Sequence, residues 1–150
     1  MQFIELAVYI PLHEPHPGQA LFSYSFNSSL EIFPALYAPT ASNVTDNNPE
    51  TYWALEDGET SGTIDIDLGA SKTVTYLRLG EYIRKGQRVK GFEIYTWNGS
   101  DWVKQSTTEE TTTIGHKRIV KLSSPISTQK VRVKITDSKV CPLISRISIY

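Results

Sequence analysis

From residue 63 to the C-terminus, apolar and polar side chains alternate along much of the chain. The segment 63–68 reads Thr-Ile-Asp-Ile-Asp-Leu, which places Ile64, Ile66 and Leu68 on one side and two carboxylates on the other. A period of two is typical of a β-strand that buries one face. Segments of the same type predict further strands at 73–79, 92–97, 101–104, 119–122, 131–135 and 145–150.

Turn signals separate these segments. Asn98-Gly99 joins two predicted strands and is the strongest short-range signal for a β-hairpin. Gly69-Ala70-Ser71 interrupts the pattern after the first strand. Strands that recur at roughly 8–12 residues, with turns between them and no convincing helical period, predict an all-β fold. We expect an antiparallel β-sandwich in which two sheets share one core.

The start of the chain does not follow this pattern. Residues 1–10 have the composition of a strand, and prolines with a glycine make the stretch 11–18 irregular. We interpret residues 1–19 as a leader or as the remnant of a preceding domain. Residues 20–26 are predicted to form the first strand, so that the sandwich domain spans residues 20–150.

Charge and composition exclude several classes of function. The 150 residues carry 15 Lys and Arg against 16 Asp and Glu, a formal net charge of −1. This balance provides no long-range attraction for nucleic acid or an anionic membrane. No stretch approaches the ~20 apolar residues of a transmembrane helix. The single cysteine, Cys141, excludes a disulfide within the chain. We therefore expect neither nucleic acid nor a membrane as a partner.

Five segments, in order, resemble a known family. The first two, "DNNPETYWA" (46–54) and "SGTIDIDLG" (61–69), resemble the D-G-D-x-x-T-x-W … I-x-I-D-L-G signature of discoidin, or coagulation factor 5/8 type C, domains. These domains include the family 32 carbohydrate-binding modules. The other three resemble the C-terminal domain of α-L-fucosidases of glycoside hydrolase family 29. They are "GEYIRKGQRVKGFEIYTWNGSDW" (80–102), "TTIGHKRIVKL" (112–122) and "VRVKITDSKVCPLIS" (131–145).

The resemblance implies a galactose-binding-like jelly roll and a non-catalytic domain of a secreted glycosidase, outside the cell or in the periplasm. The implied partners are a fucose- or galactose-type glycan and the catalytic domain of the parent enzyme. Two alternatives stay open: a structural domain that packs against a catalytic barrel and binds nothing itself, and an adhesion domain that binds protein or phospholipid. Predominantly polar loops count against the phospholipid alternative.

The resemblance also implies a metal site. In this family the loop before the signature tryptophan often holds a structural Ca²⁺. Asp46, Asn48 and Thr51 offer carboxylate, carbonyl and hydroxyl oxygens, which are the hard ligands that Ca²⁺ prefers. Arg146 stands where the family often has a completing Glu, and a guanidinium there opposes a metal cation. The alternative is that Asp46 caps the loop through backbone N–H groups without an ion.

Loops between the predicted strands supply the candidate ligand contacts. Arg84 and Gln87 lie in the loop 82–88, and side chains of this type form directional hydrogen bonds to vicinal hydroxyl groups. In related sugar-binding modules a His and an Arg, with an aromatic side chain, often hold the sugar. The resemblance therefore implies His116 as a contact, and Trp97 is the candidate stacking platform.

Each candidate also has a structural interpretation. Glu81 and Arg88 are predicted to form an internal pair that pins the loop 82–88. Trp97 and Trp102 flank the Asn98-Gly99 turn and are predicted to form a cross-strand aromatic pair. Trp53 is predicted to lie in the core, where a large aromatic side chain buries roughly 150–250 Å².

No arrangement in the sequence is typical of a catalytic site. A retaining glycosidase needs two carboxylates about 5–5.5 Å apart in a pocket. The acidic residues here lie in polar turn-like stretches or alternate outward along strands, where solvation is their ordinary state. We therefore predict no hydrolysis by this chain alone.

Overall fold

The structure, a computed structural model, describes residues 41–150. The predictions for residues 1–40, which include the leader 1–19 and the strand 20–26, lie outside the described residues. Two short 3₁₀ turns span Ala41–Val44 and Ile83–Lys85. The strands are β1 (Trp53–Ala54), β2 (Gly62–Glu81), β3 (Val89–Trp97), β4 (Trp102–Lys104), β5 (Arg118–Ser138) and β6 (Leu143–Ile149).

All six strands belong to one antiparallel sheet with the order β1-β6-β2-β5-β3-β4. The two long strands pair along two main stretches: 62–67 of β2 with 130–135 of β5, and 76–79 of β2 with 118–121 of β5. The register shifts twice between these stretches. Such irregularities increase the bend and twist of a strand.

The bends fold the sheet over on itself. A straight strand of the length of β2 would extend for about 65 Å. Instead, a short series of contacts connects its two ends. Glu81 at its end accepts a hydrogen bond from Val89 N (2.8 Å), Val89 pairs with Ser138, and Ser138 donates to the carbonyl of Thr60 just before its start (3.1 Å).

A single buried cluster lies between the two halves of the folded sheet. It includes Ile64 and Ile66 from the first half of β2 and Leu77 and Leu79 from the second half, each at most 2% exposed. Phe92 of β3 joins them at 1% exposure. Each such side chain contributes about 1.5–3 kcal/mol when it leaves water. The predicted antiparallel all-β fold is confirmed, with the difference that the two layers are halves of one folded sheet and not two separate sheets.

The largest difference from the predicted strand boundaries concerns strands that were predicted to be interrupted. Residues 69–71 do not end a strand, because β2 continues through them and its ladder with β5 resumes at Lys72. Gly69 adopts a φ of 75°, and the Asp67 carboxylate accepts a hydrogen bond from its N–H (2.8 Å). The glycine therefore forms a bend inside one strand. In the same way, the predicted strands 119–122 and 131–135 are two ends of β5.

The structural predictions for the three tryptophans are confirmed. Trp53 is 4% exposed and belongs to the core. Trp97 and Trp102 are cross-strand partners whose ring centroids are 5.5 Å apart in an edge-to-face arrangement. Arg132 lies 4.2 Å from the Trp102 ring and forms a bidentate pair with Asp65 at 2.6 Å. The side chains on this outward face of the sheet therefore stabilise one another.

The folding of the sheet gives the molecule two different ends. One end carries the segments 50–52, 81–88 and 113–117, which we call the rim. The opposite end carries the bend at 68–73 and the turn between β3 and β4. Among residues 41–150, no helix is both long enough and apolar enough to cross a bilayer.

Candidate functional site

A buried carboxylate joins two segments of the rim. Glu81, at the end of β2, is 3% exposed. Its Oε1 accepts hydrogen bonds from the backbone N–H groups of Arg88 (2.7 Å) and Val89 (2.8 Å), and its Oε2 accepts one from Gly115 N (2.7 Å). Gly115 in turn accepts a bond from Glu81 N through its carbonyl (2.8 Å). The loops 82–88 and 113–117 are thus fixed to the same strand end.

The two residues of the predicted Glu81–Arg88 pair are therefore in contact, but their charged side-chain groups do not pair with each other. The carboxylate binds the backbone N–H of Arg88, while the guanidinium donates to the carbonyl of Cys141 at 2.7 Å. Backbone N–H groups are available to Glu81 because Arg88 and Gly115 lie outside the strands and Val89 is the first residue of β3. A buried carboxylate needs such donors, since it loses its hydration on folding.

Gln87 lies beside the loop that carries His116. Both side chains are exposed. A Cβ atom added to Gly115 would lie 3.9 Å from Gln87 Oε1, so the tip of Gln87 stands beside the residue before His116. Gly80 allows the close approach, because a Cβ there would lie only 2.9 Å from the His116 carbonyl oxygen. The structure thus brings two of the predicted contacts together.

Arg84 lies at the same end beside an aromatic pair. Its guanidinium forms an ion pair with Glu50 of the neighbouring rim segment. The half-buried rings of Tyr52 and Tyr82 pack with centroids 4.7 Å apart and a tilt of 30°. Lys85 donates to the Tyr52 hydroxyl (3.2 Å), and its amine lies 5.3 Å from the centre of that ring.

Sequence reasoning missed this tyrosine pair. The two residues lie 30 positions apart in segments with no strand period, so neither periodicity nor spacing connects them. The available signal was their position: each tyrosine is within one of the segments that resemble the family. That signal marks each segment as part of the family resemblance, but it does not indicate which side chains meet.

Trp97 does not join the other candidates. It is the last residue of β3, whereas Val89, the first residue, contacts Glu81 at the rim. The length of the strand separates these two residues by about 26 Å. The backbone N–H of Trp97 instead contacts Thr128 near the opposite end (3.2 Å). Trp97 is therefore remote from His116, Arg84 and Gln87.

The predicted calcium loop closes on its own hydrogen bonds. Asp46 accepts one from Asn48 N (2.7 Å) and one from the Thr51 hydroxyl (2.6 Å), so both carboxylate oxygens are engaged. Arg146 reaches over from β6 and donates to the Asn47 carbonyl at 3.2 Å. A guanidinium directed at the loop carbonyls, and a carboxylate already occupied, do not fit a Ca²⁺ ion. We therefore assign no role to a metal in this loop.

Two further groups with potential reactivity, the Cys141 thiol and the Glu93 carboxylate, take part in structural contacts. No group of three or more His, Cys, Asp or Glu within residues 41–150 is placed to hold a metal. Cys141 is 6% exposed and its thiol contacts the Leu55 carbonyl at 2.9 Å. Burial raises the pKa of this thiol. The Lys104 amine, followed by the Tyr95 hydroxyl, lowers the pKa of Glu93 through hydrogen bonds, the opposite of what a general acid needs.

The fold and the rim define the class of protein. A rigid folded sheet presents exposed polar side chains and a tyrosine pair at one end, which is typical of an all-β binding domain. Residues 25–147 match the family model of the F5/8 type C domain. The chain therefore belongs to the F5/8 type C domain family.

The relatives agree with this assignment. The chain is 30% identical over 141 residues to a protein of Oryza sativa subsp. japonica provisionally named alpha-L-fucosidase 1, covering 88% of this chain and 26% of the relative. It is similar in structure to a Ruminococcus gnavus GH29 fucosidase solved in complex with fucose. That comparison has a TM-score of 0.62 and 36% identity, and covers 73% of this chain and 21% of the fucosidase.

A third relative has nearly the size of a single domain. Chitosan-binding module 1 from a chitosanase/glucanase of Paenibacillus sp. IK-5 matches with a TM-score of 0.64 and 23% identity, covering 75% of this chain and 85% of the module. At this identity the likeness shows the fold alone. The chain spans about a quarter of the length of the curated relatives that it matches.

Proposed function

We propose that this chain is a non-catalytic carbohydrate-binding domain of a secreted glycoside hydrolase of the α-L-fucosidase type. The observation that carries the proposal is the rim, where Glu81 fixes the loop that carries Gln87 against the loop that carries His116. Membership of the F5/8 type C family and the similarity to α-L-fucosidases support it.

The chemistry of the rim suits a sugar ring. The Tyr52–Tyr82 pair offers aromatic surface for the apolar face of a pyranose. The neighbouring Arg84–Glu50 pair and the Gln87 amide offer hydrogen bonds to ring hydroxyl groups. The exposed rim buries little area, so we expect weak binding, with Kd of about 0.1–10 mM.

Hydrolysis is not expected from the same residues. Glu81 is enclosed by backbone N–H groups, and Glu50 is paired with Arg84. Neither provides the pair of facing carboxylates that a retaining mechanism needs. Purified chain should release no nitrophenol from a nitrophenyl fucoside, and measurable release would contradict the non-catalytic role.

The proposed partners are a fucose- or galactose-type glycan and the catalytic domain of the parent enzyme. The chain covers only 26% and 21% of the lengths of two α-L-fucosidase relatives, which supports its attachment to a further domain of the parent enzyme. Because the substrates of these enzymes are glycans, we place the protein outside the cell or in the periplasm.

Calorimetric titration with fucose, galactose and N-acetylgalactosamine tests binding directly. At least one sugar should bind, and His116→Ala and Gln87→Ala should each weaken binding about fivefold or more, since each removes a directional contact. Gln129→Ala is the matched control, because Gln129 is exposed at the opposite end and should leave Kd unchanged. If no sugar binds, or if the control weakens binding as much as the rim variants, the proposal is wrong.

A second candidate function is a structural domain that packs against a catalytic barrel. One observation favours it: the half-buried Trp97 and Trp102 present aromatic surface on the outward face of β3 and β4. Absence of sugar binding, together with loss of association with a barrel domain in Trp102→Ala, would select this function.

A further inference from the structure

The two loops of the rim that meet at Glu81 are unusually basic. The stretch 82–90 contains Arg84, Lys85, Arg88 and Lys90 and no acidic residue. The stretch 114–121 contains three basic residues in addition to His116, and again no acidic residue. The nearest carboxylate in sequence, Glu81, points inward to three backbone N–H groups.

Most of these cations have partners that account for them. Arg84 pairs with Glu50, and Lys90 pairs with Asp137 at 2.5 Å. The guanidinium of Arg88 donates to the Cys141 carbonyl, and that of Arg118 donates to the Thr113 carbonyl at 2.8 Å. These four side chains have a structural role.

Lys85 is different. Its amine is held by a phenol, through the contacts with the Tyr52 hydroxyl and ring, and no carboxylate of residues 41–150 lies within ion-pair distance. An ammonium group has three donors, and the phenol uses one. Lys85 therefore places a positive charge with free donors at the edge of the aromatic pair.

Apart from Glu50, which pairs with Arg84, the acidic residues at this end of the molecule lie elsewhere. Glu56, Asp57 and Glu59 belong to the turn before β2, where Asp57 and Glu59 lie near the Cys141 thiol. The rim thus has an acidic side and a basic side. The basic side carries the tyrosine pair, Gln87 and His116.

We infer that the rim binds a sugar that carries a negative charge, a carboxylate or a sulfate, and that Lys85 binds the charged group. This rests on the proposed function and adds a ligand class to it. The ring would stack on the tyrosines while the anion contacts the ammonium. A charge-assisted hydrogen bond of this kind is roughly twice as strong as a neutral one.

The test compares D-galacturonate with D-galactose, which differ only in the carboxylate at C6, and adds galactose 6-sulfate to distinguish the two anions. In low salt the intact chain should bind at least one anionic sugar about threefold or more tighter than galactose. The ratio should fall towards one as salt increases, because exposed charges are screened. Lys85→Gln should lower the ratio below threefold. Lys72→Gln, which removes an exposed lysine at the opposite end, should leave the ratio unchanged.

The failures of the two proposals are distinguishable. If galactose and both anionic sugars bind with ratios below threefold, the charge inference is wrong and carbohydrate binding stands. If the preference for an anion persists in Lys85→Gln, the assignment to Lys85 is wrong. If none of the three sugars binds, and fucose and N-acetylgalactosamine are silent as well, both proposals fail.

Discussion

Glu81 is the residue on which the shape of the rim depends most. A carboxylate that leaves water loses several kcal/mol of hydration unless its oxygens find donors. Here three backbone N–H groups, from two loops more than 20 residues apart, supply them. The same contacts that satisfy the carboxylate therefore position Gln87 and His116.

Glu81→Gln should destabilise the domain by about 2 kcal/mol or more, because one amide N–H₂ would face an N–H group that now donates to an oxygen. Urea unfolding of the intact chain measures this. Glu93→Gln is the control: it breaks an ion pair between the half-buried Glu93 and the exposed Lys104 at the surface and should cost less than about 1 kcal/mol. Equal losses in the two variants would show that Glu81 has no special role.

At this scale the sequence identified Glu81 and Arg88 as interacting residues but did not identify the groups that they bind. Glu81 and Arg88 were identified because they flank one short loop. Their bonding atoms depend on which N–H groups the strand ladders leave unused, and that is a property of the folded sheet. Tyr52 and Tyr82 meet through the pairing of β1 with β6 and of β6 with β2, which a period of two does not specify.

Among the elements, β2 and β5 show what alternation predicts well. Ile64 and Ile66 were predicted on one face of the first half of β2, and both lie in the core, because a period of two persists up to the bend. The continuity of the two strands was not predicted. In β2, a glycine in a turn-like triplet gives the same signal in the sequence whether the strand ladder ends there or only bends. Gly69 bends β2, and pairing resumes three residues later.

The segment 46–52 should keep its structure without a metal. Asp46 is engaged by Asn48 N and by Thr51, and Arg146 already provides a positive charge at the Asn47 carbonyl. Adding millimolar Ca²⁺ to chelator-treated chain should therefore change Tm by less than about 2 °C, since a ligand stabilises a protein only by binding its folded state. A larger rise, with heat in a calorimetric titration, would establish a calcium site.

At the scale of the whole molecule, the folded sheet decides which candidates can act together. His116, Arg84 and Gln87 were identified from loop position and resemblance, and the fold places them at one end. Trp97 was identified as an aromatic residue near a turn, and the fold places that turn at the other end. A sequence shows which residues lie in loops, but the assignment of loops to an end requires the path of the strands.

The central claim is that one end of this sheet binds a sugar. An ¹⁵N-resolved NMR titration of the intact chain with L-fucose, D-galactose and D-galacturonate, each at about 20 mM, tests it most directly, since weak ligands in fast exchange shift the signals of the residues that they contact. We expect the largest changes in chemical shift at Tyr82, Lys85, Gln87, Gly115 and His116. Shifts confined to Trp97, Trp102 and the turn between them, or no shifts at all, would contradict it.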